Sequence, residues 1–277
     1  MSTKNKKTFA IIGNPIEHSL SPTLHNYWFN KYEIDANYSL LHVDEEELES
    51  VIKKIRGKEI SGINVTLPYK QKIIPYIDKL VNDAKSTNSV NTVFLDNDDV
   101  LIGENTDVYG LQAGYLKELT NAKNKRVLII GAGGVSPSII HSLQKSRISN
   151  VSIVNRTYEK SIFIKKRFNF INVLEWKTLE DQLKNFDIII NATSLGLKNS
   201  NDFEFDFKKT KDNLIFIDTI YNPLETKTLK YLKEKRIKTF NGLEMFIYQG
   251  QKSFYLWNKI NPEIDDDLIN LLVSKLQ

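Results

Sequence analysis

The chain has 277 residues, 41% hydrophobic and 26% charged, with a formal net charge of +4 and no cysteine. At roughly 150 residues per domain, that length predicts about two domains, and the composition is that of a globular chain able to bury a core unaided. Disordered, collagen-like and coiled-coil classes are excluded, and the missing cysteine removes disulfide scaffolds, Cys-ligated zinc and thiol nucleophiles together. The apolar run Phe9 to Ile12 is too short for a signal sequence, and no stretch approaches the ~18 apolar residues of a membrane span, so a cytoplasmic protein without membrane attachment is expected.

Strand-like and helix-like segments alternate along the chain, which predicts an α/β protein with largely parallel sheets. Thr8–Ile12 reads as a buried strand. Ser21-Pro22 opens a helix to about Tyr32, with Ser21 as cap and Pro22 in the first turn. Strand Tyr38–Val43, helix Glu45–Arg56 and short strand Gly62–Val65 follow. A broken helical region runs from Pro68 to about Val81. Ser89–Leu95 and Val100–Glu104 form a hairpin across Asp96-Asn97-Asp98-Asp99. Asp107–Leu119 is predicted helical and Thr120–Lys125 a polar linker. Then come strand Arg126–Ile130, helix Gly134–Ser146, strand Val151–Val154, helix Tyr158–Phe168, strand Asn172–Leu174, helix Thr178–Leu183 and strands Phe186–Asn191 and Leu214–Asp218. Lys198–Lys211 reads as an irregular surface loop. Helices at Leu243–Asn258 and Asp265–Leu276 close the chain.

The strand Arg126–Ile130 runs directly into Gly131-Ala132-Gly133-Gly134-Val135-Ser136-Pro137 and a helix. That is the context of a dinucleotide-binding turn. Gly131 allows the tight turn, Gly133 lets backbone approach a pyrophosphate, and the helix N-terminus offers free N–H groups. Ser136 is small enough for close helix–strand packing at the third fingerprint position. The next strand ends in Asn155-Arg156-Thr157, with Lys160 shortly after. An NAD site would place an acid there; Arg156 instead attracts and can fork a 2′-phosphate, so NADP is the expected cofactor. The alternative is that Arg156 is only a solvated strand-end charge.

Four further constellations carry chemistry. In Gly13 to Pro22, Ser19 and Ser21 are two residues apart, so their hydroxyls can converge as a carboxylate receptor beside a helix N-terminus. In Asn64-Val65-Thr66-Leu67-Pro68-Tyr69-Lys70, Asn64 and Thr66 share a face of a strand end, and Lys70 gains weight from that polar company. Asn91 and Asp107 sit in Asn88-Ser89-Val90-Asn91-Thr92 and Gly103-Glu104-Asn105-Thr106-Asp107. They suit substrate hydroxyls, although Asp107 is also expected to serve partly as a helix N-cap. Late in the chain, Asn191 to Gly196 ends a strand, Tyr221-Asn222-Pro223 follows another, and Gln249 lies on a helix that begins after Asn241-Gly242.

In this order the motifs resemble those of the shikimate dehydrogenase family, over about Ile11 to Trp257. The resemblance implies NADP-dependent interconversion of 3-dehydroshikimate and shikimate, in chorismate and aromatic amino-acid biosynthesis. It implies Lys70 and Asp107 as the catalytic pair. Ser19, Ser21 and Tyr221 would grip the substrate carboxylate, and Asn64, Thr66, Asn91, Asp107 and Gln249 would contact its hydroxyls and carbonyl. Gly131, Ala132, Gly133, Gly134, Asn155, Arg156, Thr157, Lys160, Thr193 and Gly242 would line the cofactor. The implied fold is a Rossmann-type doubly wound nucleotide domain, residues 107–242, plus a smaller α/β substrate domain, residues 1–106, completed by 243–277.

The chain departs from the family pattern at three places. Asn88-Ser89 stands for the usual Gly-Ala, and Asn is the most tolerable replacement if a left-handed backbone is required there. Glu244 stands in the late glycine turn, and Pro137 follows the fingerprint. Rival readings are a quinate/shikimate dehydrogenase with relaxed cofactor use and a non-catalytic dinucleotide-binding regulator. Nucleic-acid partners are not expected: of the basic clusters Lys165-Lys166-Arg167 and Lys230–Lys238, the latter is interrupted by Leu232, Glu234 and Ile237 like one solvated helix face, and aromatic interleaving is sparse. A metal is not expected either, since the four histidines form no ligand spacing. The expected partners are the small-molecule substrate and, at most, a second copy of the chain, as a monomer or homodimer.

Overall fold

The computed structural model describes residues 6–115, 122–198 and 200–277. The chain divides into two compact units, Met1–Gly110 with Ile247–Lys275, and Leu111–Phe246 with Leu276–Gln277.

The first unit begins with β1 (Lys7–Gly13), α1 (Ser21–Lys31), β2 (Ala36–His42), α2 (Leu48–Arg56) and β3 (Gly62–Val65). It continues with β4 (Lys79–Leu80), α3 (Asn82–Thr87), β5 (Thr92–Leu95), β6 (Leu101–Glu104) and the start of α4 (Asp107–Gly114). Its six strands lie in the order β2-β1-β3-β5-β6-β4. β1 runs parallel to β2 and β3 and β4 parallel to β6, while β5 alone is antiparallel to its neighbours β3 and β6, so the sheet is parallel-rich with one reversed strand. The hairpin between β5 and β6 turns on Asp96, whose Oδ1 accepts the N–H groups of Asp98 and Val100 at 2.9 Å each. β1 is apolar without alternation because both its faces are covered. Ala10 and Ile12 pack with Ile63, Val65 and Val93 under Leu48, Val51, Ile52 and Ile55 of α2.

Two local expectations change. Ser21 does not cap α1: it is the first helical residue, and the Ser19 hydroxyl accepts its N–H at 3.3 Å. The broken helical region expected after Pro68 shrinks to a single 3-10 turn, Ile74–Tyr76, with Pro75 near its start, before the chain extends as β4.

The second unit contains β7 (Val127–Ile130), α5 (Ser136–Lys145), β8 (Val151–Val154), α6 (Tyr158–Arg167), β9 (Asn172–Leu174), α7 (Leu179–Gln182), β10 (Ile188–Asn191), β11 (Ile215–Asp218), α8 (Lys227–Glu234) and β12 (Lys238–Phe240). The order β12-β11-β10-β7-β8-β9 is the 3-2-1-4-5-6 arrangement of a doubly wound nucleotide-binding sheet, parallel throughout. Alternate residues face opposite layers. Val127, Ile129, Ile188 and Ile190 pack with α5 and α6 residues, among them Ile139, Leu143 and Ile164. Leu128, Ile130 and Ile189 pack against Leu179, Leu229 and Leu232 of α7 and α8. Helix α8 and the edge strand β12 complete a region that the motifs left unassigned beyond a solvated basic helix face. The predicted helix Asp107–Leu119 and linker Thr120–Lys125 extend over residues outside the described ones. Residues 107–114 are helical and 122–124 form a 3-10 turn.

Helices α9 (Leu243–Asn258) and α10 (Asp266–Ser274) end the fold, and Ile247–Lys275 belongs to the first unit. There α9 covers the second face of the first sheet. Trp257 stacks on Phe9 at 4.8 Å, and Phe254 lies 5.2 Å from Phe29 and 5.5 Å from Trp28. His25 sits inside this aromatic layer, fully buried, stacked on Tyr38 at 4.4 Å with an interplanar angle of 4°. Neither of its ring nitrogens has a hydrogen-bond partner. Burial disfavours the imidazolium and lowers the His25 pKa to about 3.

An unfolded histidine protonates below about 6.5, whereas His25 in the fold does so only near about 3. The unfolded chain therefore binds the extra proton between those values, and the stability contribution is lost as pH falls through that window. Denaturant unfolding from pH 7 to pH 4 is expected to favour His25→Leu over the parent progressively, by about 3 kcal/mol in total. A difference independent of pH would show that the imidazole titrates normally.

Candidate active site

Lys70 is brought to its position by backbone ties between strand ends. Thr66 N–H donates to the Ile12 carbonyl at 2.9 Å and Asn14 N–H to the Leu67 carbonyl at 3.1 Å, joining the ends of β1 and β3. Val90 N–H then donates to the Lys70 carbonyl at 2.8 Å, next to Asn91. Lys70 Nζ lies 2.6 Å from Asp107 Oδ2, and only 15% of the Lys70 and 5% of the Asp107 side chain is accessible. Asn91 Nδ2 donates to the other oxygen, Asp107 Oδ1, at 2.8 Å. Asp107 is the first residue of α4, not its cap; the Asn105 side chain accepts the Asp107 N–H at 3.1 Å instead. The carboxylate is thereby left to Lys70 and Asn91.

The remaining first-unit residues fall into two kinds. The Ser19 and Ser21 hydroxyls lie 3.2 Å apart, and Thr66 and Lys70 are half-buried. Asn64 and Asn91 are almost wholly buried and engaged by protein groups. Asn64 Oδ1 accepts from the Tyr38 hydroxyl at 2.7 Å, and its Nδ2 donates to the Asn91 carbonyl, Thr92 and Ser253 at 3.0 to 3.1 Å. Asn91 Oδ1 accepts from Thr106 N–H at 2.8 Å and from the Thr92 and Thr106 hydroxyls at 3.1 Å. The two asparagines thus build the floor that carries Asp107. Asn88, which closes α3 just before this segment, has φ 51° and ψ 44°. The position is left-handed, which is why Asn can stand where the family uses glycine. Gln249 lies on α9, half-buried, one turn before Ser253.

In the second unit the glycine turn follows β7. Gly131 has φ +113°, and a Cβ there would stand 2.7 Å from the Ala192 carbonyl oxygen, so only glycine fits. β7 and β10 are adjacent at this point, where the strand order reverses, the customary place for a ligand crevice. Helix α5 starts at Ser136, two residues later than expected, with Pro137 in its first turn and the Ser136 hydroxyl donating to the Gly131 carbonyl at 2.9 Å. Asn155 Oδ1 accepts the Ala132 N–H at 3.0 Å and its Nδ2 donates to the Thr157 carbonyl at 2.9 Å. Asn155 therefore shapes the turn, while Arg156, Thr157 and Lys160 remain exposed. A cleft of about 330 Å³ beside them is lined by Asn155, Arg156, Tyr158, Glu175, Trp176 and Lys177. A glycine turn at the sheet's switch point and an exposed arginine beside a cleft suit a phosphorylated dinucleotide.

The ends of β10 and β11 hold a residue that motif reasoning missed. Asp218 is fully buried and accepts from Asn191 Nδ2 and Ile220 N–H on Oδ1, at 3.0 and 3.1 Å, and from the Thr226 hydroxyl on Oδ2 at 3.0 Å. Its signal was present as the one acid ending the apolar strand Ile215-Phe216-Ile217-Asp218. Asn191 in turn holds Thr193, whose hydroxyl donates to Asn191 Oδ1 at 2.7 Å and accepts the Leu195 N–H at 3.0 Å. Tyr221 packs on Phe246 at 4.6 Å. A Cβ on Gly242 would stand 2.3 Å from the Thr219 carbonyl oxygen, so backbone packing alone explains that glycine.

A doubly wound sheet with a glycine turn at its switch point in the second unit, and a first unit built around a sheltered lysine–carboxylate pair, define a two-unit protein of the nucleotide-binding α/β class. Residues 11–93 match the family model of the shikimate dehydrogenase substrate binding domain, and residues 115–243 match the shikimate / quinate 5-dehydrogenase model. A shikimate dehydrogenase (NADP(+)) of Pelagibacter ubique is 47% identical, over 96% of this chain and 99% of that protein. One of Methanococcus aeolicus is 38% identical, over 96% of each. The crystal structure of a shikimate dehydrogenase in complex with NADP+ superposes with a TM-score of 0.89 at 33% identity, covering 100% of this chain and 98% of that one. The chain belongs to the shikimate dehydrogenase family.

Burial raises the Asp218 pKa to about 6, against the three hydrogen bonds that favour its charged form. An unfolded aspartate titrates near about 3.9, so here the folded state binds the extra proton. The stability contribution is present below the unfolded value and is lost as pH rises through about 6. The stability of Asp218→Asn relative to the parent is expected to increase by about 2 kcal/mol from pH 4 to pH 7 in denaturant titrations. A constant difference would mean an ordinary carboxylate.

Proposed function

We propose that this chain is an NADP-dependent shikimate dehydrogenase, reversibly reducing 3-dehydroshikimate to shikimate in chorismate and aromatic amino-acid biosynthesis. The observation that carries this reading is the Lys70–Asp107 pair at 2.6 Å, sheltered from solvent and braced by Asn91. Bound NADP supplies the hydride chemistry. As carbonyl becomes alkoxide, the Lys70 ammonium stabilises the charge and donates the proton; in the reverse direction neutral Lys70 Nζ accepts it. Asp107 orients Lys70 and takes the neighbouring substrate hydroxyl. Ser19, Ser21 and Tyr221 would hold the substrate carboxylate, and Thr66 and Gln249 its other oxygens. Asn64 and Asn91 act beneath the substrate, as supports as well as contacts.

The cofactor role falls to residues 107–242. The backbone of Gly131, Ala132, Gly133 and Gly134 would face the pyrophosphate, with Arg156, Thr157 and Lys160 at the 2′-phosphate and Thr193 and Gly242 further along. Residues 1–106, completed by 243–277, form the substrate-binding domain in this reading. No helix among the described residues is long and apolar enough to cross a membrane, and we place the enzyme in the cytoplasm, as a monomer or homodimer.

Mixing the purified protein with shikimate and NADP and following nicotinamide absorbance tests the reading; NAD and quinate arms measure cofactor and substrate preference. No turnover with either pair would overturn it. Lys70→Ala is expected to lower kcat by roughly 10²- to 10⁴-fold with a smaller change in the shikimate KM. A large rise in KM with near-normal kcat would make Lys70 a binding residue. Arg156→Ala is expected to raise the NADP KM roughly tenfold to a hundredfold and leave the NAD KM nearly unchanged. Equal effects on both cofactors would remove Arg156 from the 2′-phosphate site.

A further inference from the structure

We propose that Ser253 is a positioning residue: its single buried hydroxyl fixes α9 against the strand ends that carry Asp107, and so keeps Gln249 and Asp107 in a common register. The proposal rests on the reading of the first unit as the shikimate-binding one. It concerns a residue whose type and position follow none of the motifs above.

Ser253 is fully buried on α9. A hydroxyl has one proton and two acceptor sites. Ser253 Oγ donates to the carbonyl of Gln249 at 3.1 Å and accepts from Asn64 Nδ2 at 3.0 Å. Thr92 Oγ1 at 2.8 Å and Thr106 Oγ1 at 3.1 Å meet at its remaining site. One atom thus ties β3 through Asn64, β5 through Thr92, and the residue before Asp107 to the backbone of Gln249. Asn91 Oδ1 also lies 3.1 Å from both threonine hydroxyls, so each shares its one proton between Asn91 and Ser253, and Asn91 Nδ2 holds Asp107. All the side chains in this network are at most 4% exposed. Water therefore does not replace the lost hydroxyl, and Asn64 Nδ2 and the two threonine hydroxyls, left with Asn91 and Thr92 as partners, must rearrange within the packing. The elements that would move are those bearing the substrate contact on α9 and the carboxylate that orients Lys70. Small displacements of reacting groups weigh heavily on rate.

The experiment compares Ser253→Ala with the parent and with Ile55→Val, a core substitution in the same unit but outside the network. Steady-state kinetics and amide hydrogen exchange are measured on the full-length proteins at a temperature where all are folded. Thr106 N–H is the reporter, because it is held by Asn91 Oδ1. For Ser253→Ala, kcat/KM for shikimate is expected to fall roughly tenfold to a hundredfold, with kcat and KM both affected. The NADP KM stays within about twofold, and Thr106 exchanges at least about tenfold faster. Ile55→Val should leave all of these at parental values. Normal shikimate kinetics in Ser253→Ala, a loss matched by Ile55→Val, or normal Thr106 exchange would each overturn the proposal. If the parent itself does not oxidise shikimate, the proposed function fails, and Thr106 exchange alone decides the role of Ser253. If Ser253→Ala does not fold, Thr92→Val, which removes the hydroxyl partner while keeping the shape, is read by the same criteria.

Discussion

A carboxylate almost closed off from solvent must be paired, and in this protein that requirement is met by Lys70 and Asn91 on the two oxygens of Asp107. Three chain segments have to converge for this to happen: the turn after β3, the strand entry at Asn91, and the corner between β6 and α4. The sheet order does that work, since β3, β5 and β6 are consecutive neighbours. The polar floor follows from the same constraint. Thr92, Thr106 and Asn64 are buried beside Asp107 and bond each other because water does not reach them to do so.

The second unit solves a related problem with backbone instead of side chains. At the switch point of its sheet, Gly131 backs directly onto the carbonyl of Ala192, which leaves no room for a Cβ. Beside it, Asn191 and Asp218 join the ends of β10 and β11 through one hydrogen bond between side chains. Each group there is satisfied, yet burial still opposes the charge on Asp218. The ionisable group is retained where three donors converge, N–H from Asn191 and Ile220 and O–H from Thr226, which an apolar residue would leave unanswered.

Much of this was legible in the residues. Continuous apolar runs such as Val127-Leu128-Ile129-Ile130 announce strands covered on both faces, and the glycine turn announces its corner. Lys70 and Asp107, 37 residues apart, are paired by the resemblance of the whole motif set and not by either segment alone. Other features carry no local signal. β12 is three residues long, Lys238-Thr239-Phe240, and exists because the edge of β11 pairs with it. Ser21 looks like a cap, but a helix boundary one residue earlier gives that part of the work to Ser19. Ser253 and His25 sit amid apolar helix faces, and only the partners brought in from distant segments, or their absence, give them meaning.

The discontinuity of the first unit has a consequence for the order of synthesis. Residues Ile247–Lys275 leave the ribosome after every residue of Leu111–Phe246. The second unit can therefore close its parallel sheet while the first still lacks the face supplied by α9. Until Phe254 and Trp257 arrive, Phe9, Trp28, Phe29 and Tyr38 form an uncovered aromatic surface, and Asn64 and Thr92 wait without Ser253. The nascent chain thus carries its stickiest surface at the N-terminal end for the longest time, and the first unit is the last part of the molecule to become safe from aggregation.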